Sequence, residues 1–597
     1  MTLQLIDWVS IIGFFAISLG IGLSVAKRAG SNTEEFFASG RSMPWWLLGV
    51  SMVATTFSAD TPNLVTDLVR QHGVSGNWMW WAFLLTGMVT VFIYAKLWRR
   101  SEVLTDVEFY ELRYSGKAAA FLRGFRALYL GIFFNVVIMA TVLLAAIKIG
   151  GVMLGLTPFQ TIFWASLITV VYSMLGGLRG VLITDFIQFS IAMIGAVYAA
   201  YIVVNLPEVG GIENLLANPL VQGKISLLPD FSDTNLLMTV LIIPIAVQWW
   251  SVWYPGAEPG GGGYVAQRML AAKDEKNAMG ATLFFNLAHY ALRPWPWILV
   301  ALASLVVFPD LDSLGKAFPN IDAGILKNDL AYSAMLTYLP AGILGIVVAS
   351  LIAAVMSTIS THLNWGASYV VNDFYKRFVK QDPSEKEQVL AGRLTILVLM
   401  ILAAILALFL SNALQAFHIL LQIGAGTGLL FLLRWFWWRI NAASEIAAMV
   451  ISFLVAIYFE IVHPELGLPE IIEWQRLVIG VAITTIGWVT VTLFSKPTDQ
   501  ETLFNFCKKV TPGGPCWKRI LEIGRKEGHD VDALLSEKWD MPSSLLGVFL
   551  GLLVIYNGLF AIGFWLYGNI FAASITTVVS ILSSVFLIKL WANFRVR

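Results

Sequence analysis

Runs of about 20 apolar residues, each bounded by charge or by Gly and Pro, recur from Leu5 to Trp591. They are centred near residues 15, 57, 86, 139, 167, 192, 244, 297, 350, 400, 426, 451, 484, 555 and 580, which predicts about 15 membrane-spanning helices. The runs are continuous rather than alternating, so a transmembrane β-barrel is excluded. An odd number of spans puts the termini on opposite faces. With the N-terminus outside, only Arg70, Lys224, Lys316 and Lys327 lie clearly outside, Lys148, Arg293 and Arg476 fall in or at the ends of spans, and every other Lys and Arg faces inward. This asymmetry predicts an N-terminus outside and a C-terminus inside. The first run, Leu5 to Ala26, follows no basic residue and reads as a retained span rather than a signal peptide.

Composition agrees. The 597 residues are 58% hydrophobic and 13% charged, against about a quarter charged in soluble proteins. Lys+Arg (39) and Asp+Glu (38) nearly cancel, so charge gives no pointer to nucleic acid. The two cysteines, Cys507 and Cys516, form no zinc spacing and exclude a disulfide framework. Both lie in the one sizeable inner segment, 496–543. Its stretch from Trp517 to Trp539 reads as a solvated linker, with a basic helix on the inner leaflet as the alternative. The segment is too short for a catalytic or signalling domain. No phosphate loop, nucleophile elbow or metal-spaced histidines are present, which argues against an enzyme.

A charge at mid-bilayer costs at least about 2.5 kcal/mol, so ionisable residues inside spans are functional candidates. They are Asp60, Asp67, Lys148, Asp185, Glu258 and Arg293. The second span carries a polar cluster from Ser51 to Asn63 closed by Pro62, which predicts a broken helix with Thr61 outside helical geometry. Five spans later, Gln248 to Gly263 holds two prolines and five glycines and cannot be an intact helix. Interrupted spans at matching positions of two five-helix halves point to an inverted-repeat secondary transporter with its binding site at the breaks. In the ninth span, Ala354, Ser357, Thr358 and Thr361 follow helical spacing, with Ser360 beside them. Such hydroxyls, with carbonyls freed at the break, suit sodium, a hard cation that takes oxygen ligands. Helix packing is the competing use of such hydroxyls.

Three segments carry a family resemblance. Gly176-Gly177-Leu-Arg-Gly-Val181-Leu-Ile-Thr184-Asp185-Phe-Ile-Gln188, Gln267-Arg268-Met-Leu-Ala271-Ala272-Lys273, and Ala354-Val-Met-Ser357-Thr358 running on to Asn364 and Asp373-Phe-Tyr375 resemble the sodium:solute symporter family. The resemblance implies a leucine-transporter-type core of ten helices over 45–440, preceded by an extra helix and loop (1–44) and followed by two further helices (441–495). The segment 496–543 and a last helix pair (544–597) lie outside it. It implies a main sodium site from the carbonyls of Ala54, Phe57 and Ala354 with the hydroxyls of Ser357 and Thr358. A second site would use Asp185, Ser357, Ser360 and Thr361, so one or two sodium ions are the coupling ions. Solute contacts would include Asp60, Thr61 and Gln422, with Arg293 near a further binding position. The sequence departs from sugar-carrying members in lacking an acidic residue over Asn77 to Ala82.

The residues themselves add to the solute site. Gln248 and the rings of Trp249, Trp250 and Trp253 suit a sugar face, whereas Arg293 suits a carboxylate. The expectation is sodium-driven symport of a small polar solute, a sugar or sugar acid, by a multi-pass protein of the cell membrane, the inner membrane if bacterial. A passive channel, which predicts no sodium dependence, and a solute sensor are the alternatives. Oligomeric state is not legible.

Overall fold

The computed structural model describes residues 4–56, 58–252, 258–319, 326–410, 426–536, 539–592 and 594. Of the expected site residues, Phe57, Trp253 and Gln422 lie outside these. The described chain is helical, with one isolated bridge between Met43 and Ala272. Ten helices are long and apolar enough to cross a membrane and four more are apolar but shorter, among the described residues. Fourteen of the expected span centres fall on or beside these helices, and the one near 426 lies at the edge of an undescribed stretch.

The helices that position the site are α1 (Leu5–Ala29), α2 (Trp45–Thr56), α3 (Asp60–His72), α4 (Val74–Ser101), α5 (Gly116–Ile147), α6 (Pro158–Val204), α7 (Thr234–Ala246), α8 (Gly263–Ala271), α9 (Glu275–Val307) and α10 (Ile343–Val379). After them come α11 (Glu385–Phe409), α12 (Ala442–Ile457), α13 (Glu473–Phe494), α14 (Gln500–Val510), α15 (Lys518–Lys526), α16 (Met541–Leu566) and α17 (Ile570–Trp591).

Both predicted breaks are present. The second span splits into α2 and α3, and the seventh into α7 and α8. The first break precedes Pro62 rather than surrounding it: Thr61 is helical and Pro62 sits in the first turn of α3, where its missing N–H has no intrahelical partner to lose. The break after α7 is fixed to its surroundings. Trp98 Nε1 donates to the Gly260 carbonyl at 2.9 Å, the Gly263 N–H donates to Asp106 Oδ2 at 2.8 Å, and Arg126 pairs with Glu258.

Helix α6 has 47 residues. At 1.5 Å per residue that is about 70 Å, twice the hydrocarbon thickness. Gly177, at φ 51° and ψ −159°, divides it into the two spans the sequence predicts. A Cβ there would also stand 2.8 Å from the Phe36 carbonyl, so the turn needs glycine.

The buried Asp7 of α1 reaches across to α10, where its Oδ1 accepts from the N–H groups of Gly342 and Gly345, each at 2.7 Å. It thereby caps the helix that carries Ser357 and Thr358.

The segment 496–543 is not a solvated linker but packs against the bundle. Trp517 is buried, its indole N–H donates to the Trp435 carbonyl at 3.0 Å, and the Arg113 guanidinium lies 5.0 Å from its ring centre. Phe506 and Cys507 are buried with it. The basic residues stay at the surface while the aromatic face is buried against the bundle, an arrangement that charge content alone does not reveal. The last pair, α16 and α17, docks on the core. The Tyr556 hydroxyl donates to the Trp81 carbonyl at 2.9 Å, Trp295 Nε1 donates to the Leu559 carbonyl at 3.1 Å, and Lys96 pairs with Asp540.

Candidate functional site

Helix α2 runs to Thr56, the last described residue before position 57, and the carbonyls of its last turn lie at the break. Side chains from other elements meet three of them. Arg293 Nη1 donates to the Val53 carbonyl at 3.3 Å, the Thr358 hydroxyl to the Thr55 carbonyl at 2.9 Å, and the Thr61 hydroxyl to the Thr56 carbonyl at 3.5 Å. Ala54 belongs to the same turn and is buried, as is Ala354 on the facing helix α10. The residues expected to hold the main sodium are thus brought to one place, Phe57 aside.

Next to them lies Asp185 of α6, with no exposed surface. Its Oδ1 accepts from Ser357 at 2.7 Å and its Oδ2 from Ser51 at 2.5 Å. Thr361 stands 2.9 Å from the Thr55 hydroxyl. Ser360 is turned into its own helix and donates to the Ser357 carbonyl at 3.0 Å. Asp185, Ser357 and Thr361 therefore gather around one point, while the Ser360 hydroxyl faces its own backbone.

Sequence reasoning nominated neither Ser51 nor Thr55, although both stand in the polar cluster of the second span, four residues apart and so on one face. It also missed Arg268. Carried by α8 and fully buried, this residue donates through Nη2 to the Thr361 hydroxyl at 2.7 Å and to Ser51 at 3.2 Å, and lies 3.8 Å from Asp185 Oδ2. The only signal for it was the Gln267-Arg268 motif.

The expected solute residues divide. Asp60 is exposed, and Thr61, Gln248 and Trp249 are half-buried. Gln248 Nε2 donates to the Met79 carbonyl at 2.8 Å, and the Trp249 carbonyl accepts from Thr86 of α4. Arg293, by contrast, has no exposed surface. Besides its bond to Val53, its guanidinium lies 5.1 Å from the Trp297 ring centre, with Asp60, Tyr264 and Tyr290 close enough to act on its charge. Glu258, another of the ionisable residues inside spans, pairs with Arg126.

Hydroxyls, carbonyls and one carboxylate make a hard-oxygen environment suited to an alkali cation. Among the described residues no cluster of three His, Cys, Asp or Glu side chains could hold a transition metal.

The sodium:solute symporter family pattern matches residues 36–452. A sodium/glucose cotransporter of Vibrio parahaemolyticus is 26% identical over 479 residues, covering 77% of this chain and 86% of its own. A sodium/sialic acid symporter of Proteus mirabilis is 24% identical over 467 residues, covering 76% and 89%. Among solved structures, a Na+-coupled sialic acid symporter in a substrate-bound outward-open state superposes with a TM-score of 0.65 at 21% identity, covering 83% of this chain and 99% of its own. That likeness establishes a shared fold. The broken second and seventh spans, the oxygen cluster where α2, α6 and α10 meet, and the match over most of the length lead to one conclusion: this chain belongs to the sodium:solute symporter family, multi-pass membrane proteins that couple sodium to the movement of a small solute and are not enzymes.

Proposed function

We propose that this protein takes up an uncharged sugar or polyol together with sodium by alternating access. The observation that carries the solute class is the burial of Arg293. The one cationic residue nominated for a substrate carboxylate has no exposed surface and serves the end of α2, whereas Asp60, Thr61, Gln248 and Trp249 keep accessible surface. Carboxylate, hydroxyl and amide groups suit a polyhydroxylated solute through hydrogen bonds, and an indole suits a sugar face. Trp253 and Gln422 complete the set in this reading. The glucose-carrying relative supports it.

Sodium is held at the break in the second span by the carbonyls of Ala54, Phe57 and Ala354 and the hydroxyls of Ser357 and Thr358. The freed carbonyls of α2 and the hydroxyl stripe of α10 support this site. One sodium ion moving through 100 mV supplies about 2.3 kcal/mol, and each tenfold gradient adds about 1.4 kcal/mol.

The chain crosses the membrane 15 times, N-terminus outside and C-terminus inside. Residues 45–440 form the inverted-repeat core, 1–44 and 441–495 flank it, 496–543 caps its inner end, and 544–597 forms a peripheral pair. Support comes from fourteen apolar helices among the described residues, two spans broken five apart, and the one-sided distribution of Lys and Arg. The bacterial relatives favour residence in a bacterial inner membrane.

A competition panel of neutral sugars, polyols and sugar acids against labelled solute in proteoliposomes tests the solute class. Neutral compounds compete if the reading holds. Preferential competition by sugar acids, abolished by Arg293→Gln, overturns it.

A further inference from the structure

The oxygen set around Asp185 holds a positive charge of the chain's own. Arg268 and Asp185 are both fully buried, and the guanidinium Nη2 lies 3.8 Å from the carboxylate. It donates to Thr361 at 2.7 Å, and both Nε and Nη2 reach Ser51, itself bonded to Asp185, at 3.2 Å. Nη1 is held by Gln267 Oε1 at 2.8 Å, which fixes the plane of the fork. Arginine does not lose its proton in a protein, so this position carries a permanent cation. A sodium ion bound to Asp185, Ser357, Ser360 and Thr361 would meet that charge a few ångströms away in a buried site, where like charges repel strongly. It would also have to share Thr361 with the guanidinium and turn Ser360 away from its helix. The residues present therefore fit a bound arginine better than a second sodium.

We propose that Arg268 is a tethered cation standing in place of a second sodium, so that the protein binds one sodium per chain, at the break in the second span. The proposal rests on the sodium-site reading given above. It makes Arg268 a residue that sets coupling stoichiometry. The guanidinium sits on α8, the half-helix that resumes after the glycine-rich break, so the neutralisation of Asp185 depends on where that half-helix stands.

The test counts sodium directly. Equilibrium binding of radioactive sodium to the purified full-length protein in detergent should saturate at one ion per chain. Arg268→Gln should bind two, because the carboxylate and its hydroxyls become available. The double variant Asp185→Asn with Arg268→Gln should return to one. Thr358→Val, altering the main site alone, should leave that count at one but move its half-saturation to about 10- to 150-fold higher sodium. Two ions bound by the unmodified protein, or one by a folded Arg268→Gln, overturns the tethered cation. Failure of Thr358→Val to change binding overturns the underlying site assignment instead. If Arg268→Gln does not fold, the count on the unmodified protein still decides.

Discussion

Thr358→Val keeps the side chain's shape and removes its hydroxyl, which donates to the Thr55 carbonyl at 2.9 Å inside the bundle. A hydroxyl donates once and still accepts, so Thr358 can hold the end of α2 and offer a lone pair to sodium together. Losing the neutral hydrogen bond costs about 0.5–1.5 kcal/mol of stability, and losing a contact to a charged partner costs about 1.5–3 kcal/mol of binding. The second figure corresponds to a rise of about 10- to 150-fold in the sodium concentration for half-maximal transport. Uptake by proteoliposomes across a sodium titration reads this directly, and thermal unfolding in detergent separates it from the smaller stability loss. Ser357→Ala should have a similar effect on sodium activation while also removing a hydrogen bond from Asp185. Unchanged half-saturation by sodium in a folded Thr358→Val protein would refute the main-site assignment.

Other outcomes follow from the packing. Gly177→Ala should destabilise the protein by at least about 2 kcal/mol, since its conformation is essentially reserved for glycine, whereas Gly176→Ala, whose Cβ would meet nothing closer than 3.6 Å, should be tolerated. Equal melting temperatures for the two variants would contradict the account of the α6 break. Asp7→Ala removes the acceptor for two N–H groups of α10 and should cost about 1–2 kcal/mol, seen as a lower unfolding temperature; no shift would show the cap to be dispensable. Burial pushes the Cys507 thiol up to about 12, the nearby Arg113 charge opposing it only in part, while Cys516 is exposed. Because the thiolate is the reactive form, Cys507 should resist a maleimide at pH 8 until the segment unfolds. Cys516 should react at once, and only from the inner face of sealed vesicles; labelling from outside would reverse the proposed orientation.

Much of the architecture was legible because a bilayer imposes it. Segment length follows from the hydrocarbon thickness and the cost of exposing polar backbone to lipid, and the two Pro/Gly interruptions mark where the helix cannot continue. The stripe of Ser357, Thr358 and Thr361 was legible as a helical face, but periodicity does not say which helix that face meets. The pairing of Thr358 with Thr55 and of Thr361 with Arg268 therefore needed coordinates. Arg268 lies close to Lys273 in a stretch that reads as a loop, and only the start of α8 at Gly263 carries it into the bundle. The 496–543 segment misled for a related reason. Its charges dominate the composition, yet its fold is set by Trp517 and Trp435, 82 residues apart in sequence. Arg293 illustrates the remaining limit. Sequence marks it as a buried charge needing a partner, but only the broken end of α2 shows that backbone carbonyl oxygen is part of the answer.

The most direct test of the central claim is accumulation of labelled neutral sugars and polyols in proteoliposomes holding the purified protein, with an inward sodium gradient or with potassium in its place. Sodium-coupled symport predicts transient accumulation above equilibrium for at least one such solute under the sodium gradient, and no accumulation with potassium or after the gradient is collapsed. Equal uptake in sodium and potassium that never exceeds equilibrium would contradict it and describe a passive pathway.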